Sequence, residues 1–134
     1  MSAITRTTAD VLLAFLPLFE HSDRDVIVRW VEPERLSDGS MTVPYPIYSA
    51  DVMLFFDKAA GAPWTDADYA RKPASRWIAD DAFIAPASLD ELRTLLTYCV
   101  RGERFCDGFW GSLITQGRIV PILRRLAELV GAER

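Results

Sequence analysis

The chain has 134 residues, 50% of them hydrophobic, 11% aromatic and 25% charged, the composition of one globular domain whose core needs no disulfide or metal to hold it. The formal net charge is -4 and the sequence pI about 4.9, with 10 acids against 5 bases in residues 1–67 and 9 against 10 in residues 68–134. That balance supplies no basic field, which argues against non-specific nucleic-acid binding; no cationic and apolar leader follows Met1 and no run approaches the ~18 apolar residues of a membrane span, so a cytoplasmic protein is expected.

In chain order, Thr8 can cap a first helix with Val11, Leu12, Phe15, Leu16 and Phe19 on its apolar face, kinked or ended near Leu16 by Pro17. The β-branched run from Val26 to Val31 predicts a strand. The turn signal Ser37-Asp38-Gly39-Ser40 then predicts a hairpin returning along Met41-Thr42-Val43 and stopped by Pro44. Pro44-Tyr45-Pro46-Ile47-Tyr48 should be extended, since each proline fixes its own φ and biases its predecessor away from helix. Ser49 caps the next helix, which buries Val52, Phe55, Phe56 and Ala59 and stops at a left-handed Gly61. Residues 62–87 show no sustained period and read as irregular, anchored by Trp64, Tyr69, Trp77 and Phe83.

The last third is the clearest. Ser88 and Glu91 form a capping box before a helix with Leu89, Leu92, Leu95, Leu96, Cys99 and Val100 on one face, ended by Gly102. Asp107 is placed to cap a helix carrying Phe109, Trp110, Leu113 and Ile114 to a stop at Gly117. A final helix from Arg118 tolerates Pro121 in its first turn, buries Ile119, Ile122, Leu123, Leu126, Leu129 and Val130, and closes at Gly131. The expected fold is α+β but mainly helical: about five helices, with a C-terminal three-helix unit and a small N-terminal β-hairpin.

Candidate chemistry concentrates at the junction 101–108. Arg101 and Arg104 can clamp an anionic group, with Glu103 or Asp107 as acid-base residue; the simpler reading is that the charges pair and lock the turn while Asp107 caps the next helix. Cys106 lacks a base partner, because the one histidine, His21, lies far off in sequence, and Cys99 sits on an apolar face. Two cysteines and one histidine do not make a zinc tetrad, so neither metal nor cofactor is expected. The segment 64–77 is no EF-hand, since Arg71 and Trp77 stand where glycine and glutamate are required. A second candidate surface is aromatic: Tyr45 and Tyr48 on the proline-fixed segment, with Trp30, Trp64, Tyr69 and Trp77 from flanking stretches, lining a pocket or sealing the core.

The run Leu96-Thr97-Tyr98-Cys99-Val100-Arg101-Gly102-Glu103-Arg104-Phe105-Cys106-Asp107-Gly108-Phe109-Trp110, with Pro44-Tyr45-Pro46-Ile47-Tyr48 upstream, resembles a bacterial family of small proteins known only as a domain of unknown function. The resemblance extends from the first helix to the last and is weakest over residues 62–87. Members of that family often carry histidine at the position of Phe109, so a role for a histidine before Trp110 does not transfer here. The resemblance implies no activity, substrate or cofactor.

Three functional readings follow. The first is a non-enzymatic module binding a protein partner or a small anionic ligand through Arg101, Arg104, Tyr45, Tyr48, Trp64 and Trp110, with homodimer formation open. The second is a small hydrolase-like enzyme acting on an anionic substrate, with an Arg101/Arg104 clamp and Glu103/Asp107 as acid-base pair. The third is an acidic inhibitor that mimics nucleic acid and blocks a basic site on its partner, in the manner of phage counter-defence proteins.

Overall fold

In the computed structural model, which describes residues 4–20 and 26–131, Thr5 rather than Thr8 begins the first helix: its hydroxyl accepts from the backbone N–H of Thr8. The expectation placed on His21 lies outside the described residues. Helix α1 (Arg6–Leu13) buries Leu12, whereas Val11 is exposed, contrary to the expected stripe. Pro17 acts as an interruption. Lacking an N–H to continue the ladder, it falls in the first turn of a separate helix, α2 (Leu16–Glu20), whose Phe19 is buried.

The hairpin exists, but its return strand is not Met41–Val43. Strand β1 (Ile27–Val31) pairs antiparallel with β2 (Tyr45–Tyr48), Ile27 opposite Tyr48 and Val31 opposite Tyr45, with a bulge between Ile27 and Arg29. Met41 makes only an isolated bridge to Arg35 across the tight turn at 36–40. The proline-fixed segment is thus itself a strand. Its Pro46 is tolerated opposite Trp30 because a two-stranded sheet has edges on both sides.

Helix α3 (Ala50–Ala59) buries Val52, Phe55, Phe56 and Ala59 as the period predicts. The Ser49 hydroxyl donates to Asp51 Oδ1, which also accepts from Val52 N, so the first-turn amide is capped by Asp51 rather than Ser49. Gly61 is not left-handed; the helix ends through Ala60 in a right-handed conformation. Residues 62–87 contain a 3₁₀ turn at Tyr69–Arg71 and two single-turn helices, α4 (Ala74–Trp77) and α5 (Asp81–Ile84). Trp64 is buried here, and Trp77 stacks on Phe83 at 4.4 Å.

Helix α6 (Leu89–Gly102) opens on the expected Ser88–Glu91 capping box and buries Leu92, Leu95, Leu96 and Cys99. Helix α7 (Phe109–Thr115) begins after a left-handed Gly108, so Asp107 is not its cap, and it ends before Gly117, which takes φ +71°. Helix α8 (Ile119–Gly131) packs against α1, α2, α5, α6 and α7, with Ile119, Ile122, Leu123 and Leu126 fully buried. The architecture is α+β and mainly helical. Among the described residues five helices reach seven residues or more, and α6, α7 and α8 form the C-terminal unit.

Candidate functional site

A helix leaves four amide N–H groups unsatisfied at its start and four carbonyls at its end, and the 101–108 junction resolves this for two helices at once. At the start of α7, Glu103 Oε2 accepts from Gly108 N at 2.8 Å and Oε1 from Trp110 N at 2.9 Å. Gly111 N donates to Tyr48 Oη at 3.2 Å, and the Tyr48 hydroxyl donates to Glu103 Oε1 at 2.8 Å. At the end of α6, the Trp110 indole N–H reaches the carbonyls of Cys99 and Val100 at 3.0 and 3.3 Å. The Trp110 ring lies flat on Phe56, 4.2 Å between centroids. Burial, followed by the Glu103 carboxylate, raises the Tyr48 phenol far above its ordinary range, so it acts as a fixed donor at neutral pH.

Gly108 and Gly102 make this geometry possible. Gly108 takes φ +91° beneath the Trp30 ring, where a side chain would be strained and crowded. At Gly102 any Cβ would overlap the ring of Phe109, so α7 approaches α6 only because that position is bare.

The arginines of the junction do not take part in this lock. Among the described residues neither Arg101 nor Arg104 pairs with a carboxylate; the expected Arg–Glu pairing is replaced by Glu103's bonds to Tyr48 and the α7 amides. Arg101 lies over the Tyr69 ring, 5.2 Å from guanidinium carbon to centroid. Both arginines line a cavity of about 150 Å³ between the ends of α3 and α6, with Ala59, Ala60, Thr65, Thr97 and Val100. Asp107 instead borders a wider groove of about 400 Å³ between β1 and α7, with Val26, Ile27, Trp30, Gly108, Gly111, Ser112 and Thr115.

The eight candidate residues therefore divide. Glu103, Tyr48 and Trp110 meet in one hydrogen-bonded cluster, Arg101 and Arg104 share a cavity, and Asp107 and Tyr45 stand apart at the surface. Trp64 is in the core. The aromatic residues do not line one pocket: Trp30 borders the groove, Tyr69 faces Arg101, and Trp77 is engaged with Phe83. Cys99 is buried, which raises its thiol pKa, and Cys106 is exposed; both are free. Among the described residues no group of three or more His, Cys, Asp or Glu side chains is placed to hold a metal ion, and no helix is long and apolar enough to cross a membrane.

A polar network beside the cavity escaped the sequence reading. Asp66 Oδ2 accepts from Lys72 Nζ at 2.8 Å and from the buried Thr94 hydroxyl at 2.6 Å, while Asp66 N donates to the Thr97 hydroxyl. Arg93 donates to the carbonyls of Pro63 and Thr65, completing the seam that holds the 62–72 loop on α6. The hydrogen bonds from Lys72 and Thr94 hold the Asp66 carboxyl down to about 2. The available signal was a polar stripe of Thr94, Thr97 and Arg101 on α6, continued by Arg104 just past its end, at spacings of three and four residues opposite the leucines.

No curated protein and no solved structure matches the chain. A family profile does match, over residues 4–132, and the chain belongs to that family of unknown function, DUF6508.

Proposed function

We propose that this chain is a non-enzymatic protein-binding module whose contact surface is the hairpin arm, residues 28–45. The observation that carries the reading is where large hydrophobic side chains are left exposed. Of ten among the described residues, six lie on this arm: Val28, Trp30, Leu36, Met41, Val43 and Tyr45, between 47% and 71% exposed. Together they offer several hundred Å² of apolar surface, the scale of a transient contact.

The sheet beneath them favours an extended segment of the partner as occupant. Strand β2 has lost a donor at Pro46, but β1 carries no proline, and its outer edge beyond the bulge, Arg29–Val31, is unpaired in the two-stranded sheet and suited to one more short strand.

The hydrolase-like alternative needs its arginines and carboxylates in one place. Here the clamp residues share a cavity without Glu103 or Asp107, and Glu103 has its oxygens engaged by three donors. The acidic-mimic alternative needs unpaired carboxylates gathered on one face, whereas Asp10, Glu20 and Asp66 each face a cation and the exposed Glu32, Glu34 and Asp57, unpaired among the described residues, are divided between the hairpin arm and α3.

The test is affinity capture from host lysate at low and high salt, using wild type and a fold-verified Met41→Lys/Val43→Lys variant. An apolar contact predicts a stoichiometric partner retained at high salt and lost with the variant. Identical recovery by both chains sinks the reading. A partner stripped by salt from either chain transfers support to the acidic mimic, and a wild-type dimer in sedimentation that the variant abolishes assigns the arm to a second copy.

A further inference from the structure

We propose that the cavity between the C-terminal ends of α3 and α6 binds one small oxyanion group, a phosphate or a carboxylate, held by Arg101 and Arg104. The site is separate from the hairpin arm, and the proposal does not rest on the arm's role.

Four observations converge. First, among the described residues Arg124 meets Glu20, Arg125 meets Glu128 and the Ala87 carbonyl, and Lys72 meets Asp66, whereas Arg101 and Arg104, like several exposed cations, meet no carboxylate. Arg101 and Arg104 instead border one cavity that no carboxylate lines. Guanidinium forks left without an acid are suited to a planar or tetrahedral oxyanion, which they bind through paired N–H groups.

Second, the other polar groups of the wall are already engaged. The Thr65 hydroxyl donates to the Ala60 carbonyl, and the Thr97 hydroxyl lies within 3.2 Å of the carbonyls of Trp64 and Arg93 while accepting from Asp66 N. The bonded Ala60 carbonyl presents less negative potential to an incoming anion. Two helix ends contribute roughly half a negative charge each, which two full positive charges outweigh.

Third, Arg101 is oriented before any ligand arrives, because its guanidinium rests over the Tyr69 ring. Fourth, the volume of about 150 Å³ sets the size of the ligand. It has room for one phosphate or carboxylate group with a short stem against Ala59, Ala60 and Val100.

The test uses the whole chain with inorganic phosphate and acetate as probes, each compared with chloride at equal ionic strength. A probe at about ten times its Kd should raise Tm by roughly 5 °C, and calorimetry should give one site per chain. Arg104→Gln, at an exposed position, should keep the chloride Tm and lose the increment; Arg101→Lys, which keeps the charge but not the fork, should weaken binding about tenfold. A response to phosphate alone, acetate alone or both identifies which oxyanion fits. If neither probe shifts Tm beyond chloride, the proposal fails. It fails equally if Arg104→Gln retains the full increment, or if Arg104→Gln lowers the chloride Tm while the increment persists, since the arginines then serve only the helix ends.

Discussion

Glu103 is a charged residue at a helix junction, and its worth is set by how many donors it meets. Three converge on it: the Tyr48 hydroxyl and the amides of Gly108 and Trp110. Removing the carboxylate leaves two amides and a phenol unsatisfied in a partly buried place, so Glu103→Ala should cost about 2–3 kcal/mol and Tyr48→Phe about 1–2 kcal/mol. Arg104→Ala, with no partner to lose, should stay within about 0.5 kcal/mol. Urea midpoints followed by tryptophan fluorescence decide this; equal losses for Glu103→Ala and Arg104→Ala would move the lock to the arginines. Asp66 supplies a pH-dependent counterpart. Its folded carboxyl titrates at about 2, below the unfolded value near 3.9, so its stabilisation is complete above about pH 5 and lost as pH falls from about 4 towards 2. Lys72 is 39% exposed, which screens the pair to about 1 kcal/mol. Wild type should therefore exceed Asp66→Asn by about that amount at pH 6, with the gap closing by about pH 2; a gap independent of pH assigns the role of Asp66 to shape alone.

At the scale of elements, the Phe109 ring of α7 fits against α6 where Gly102 has no side chain. Alanine is normally better than glycine in a helix by about 1 kcal/mol, so propensity alone makes Gly102→Ala stabilising. The overlap of a new Cβ with the Phe109 ring works against this, and overpacking of that kind costs about 1–3 kcal/mol, so the net change should be destabilising. In a double-mutant cycle, Phe109→Ala should relieve the loss with a coupling of at least about 1 kcal/mol; additivity would mean that the two residues do not touch. Such contacts explain what the sequence left unread. Leu92, Leu95, Leu96, Ile122, Leu123 and Leu126 were legible because helical period and capping are local properties. The role of Glu103 was not, since its hydroxyl partner, Tyr48, lies 55 residues away and its amide donors are backbone groups that side-chain patterns do not mark. The return strand was misplaced for a related reason: proline argues against central strands, but Pro46 sits in a sheet of two, where only half of each strand's backbone groups need a partner. Arg101 and Arg104 were legible as a pair, whereas their cavity depends on Thr65 and the end of α3, which only the fold brings to α6.

Across the whole molecule, the buried core lies mainly in the helices, while six of the ten exposed large hydrophobics among the described residues lie on the arm. The buried aliphatic and aromatic side chains of α3, α6 and α8 form one cluster that α1 and α7 close. The arm beyond β1 makes its bonds within itself: Thr42 N to the Glu34 carbonyl, Glu34 N to the Thr42 hydroxyl, and Leu36 N to the Ser40 carbonyl. Local bonds between exposed residues open without disturbing a core elsewhere, so the arm and the helices should behave as separate cooperative units. Native-state hydrogen exchange should find the amides of α6 and α8 protected to the level of global unfolding, and those of residues 34–42 exchanging at least about a hundredfold faster through local opening. Met41→Lys/Val43→Lys should then leave the slow amides unchanged while removing apolar contact area. If the variant instead speeds exchange throughout α6 and α8, the arm is part of the folding core, and its exposed side chains are no longer free to evolve as a binding surface independently of stability.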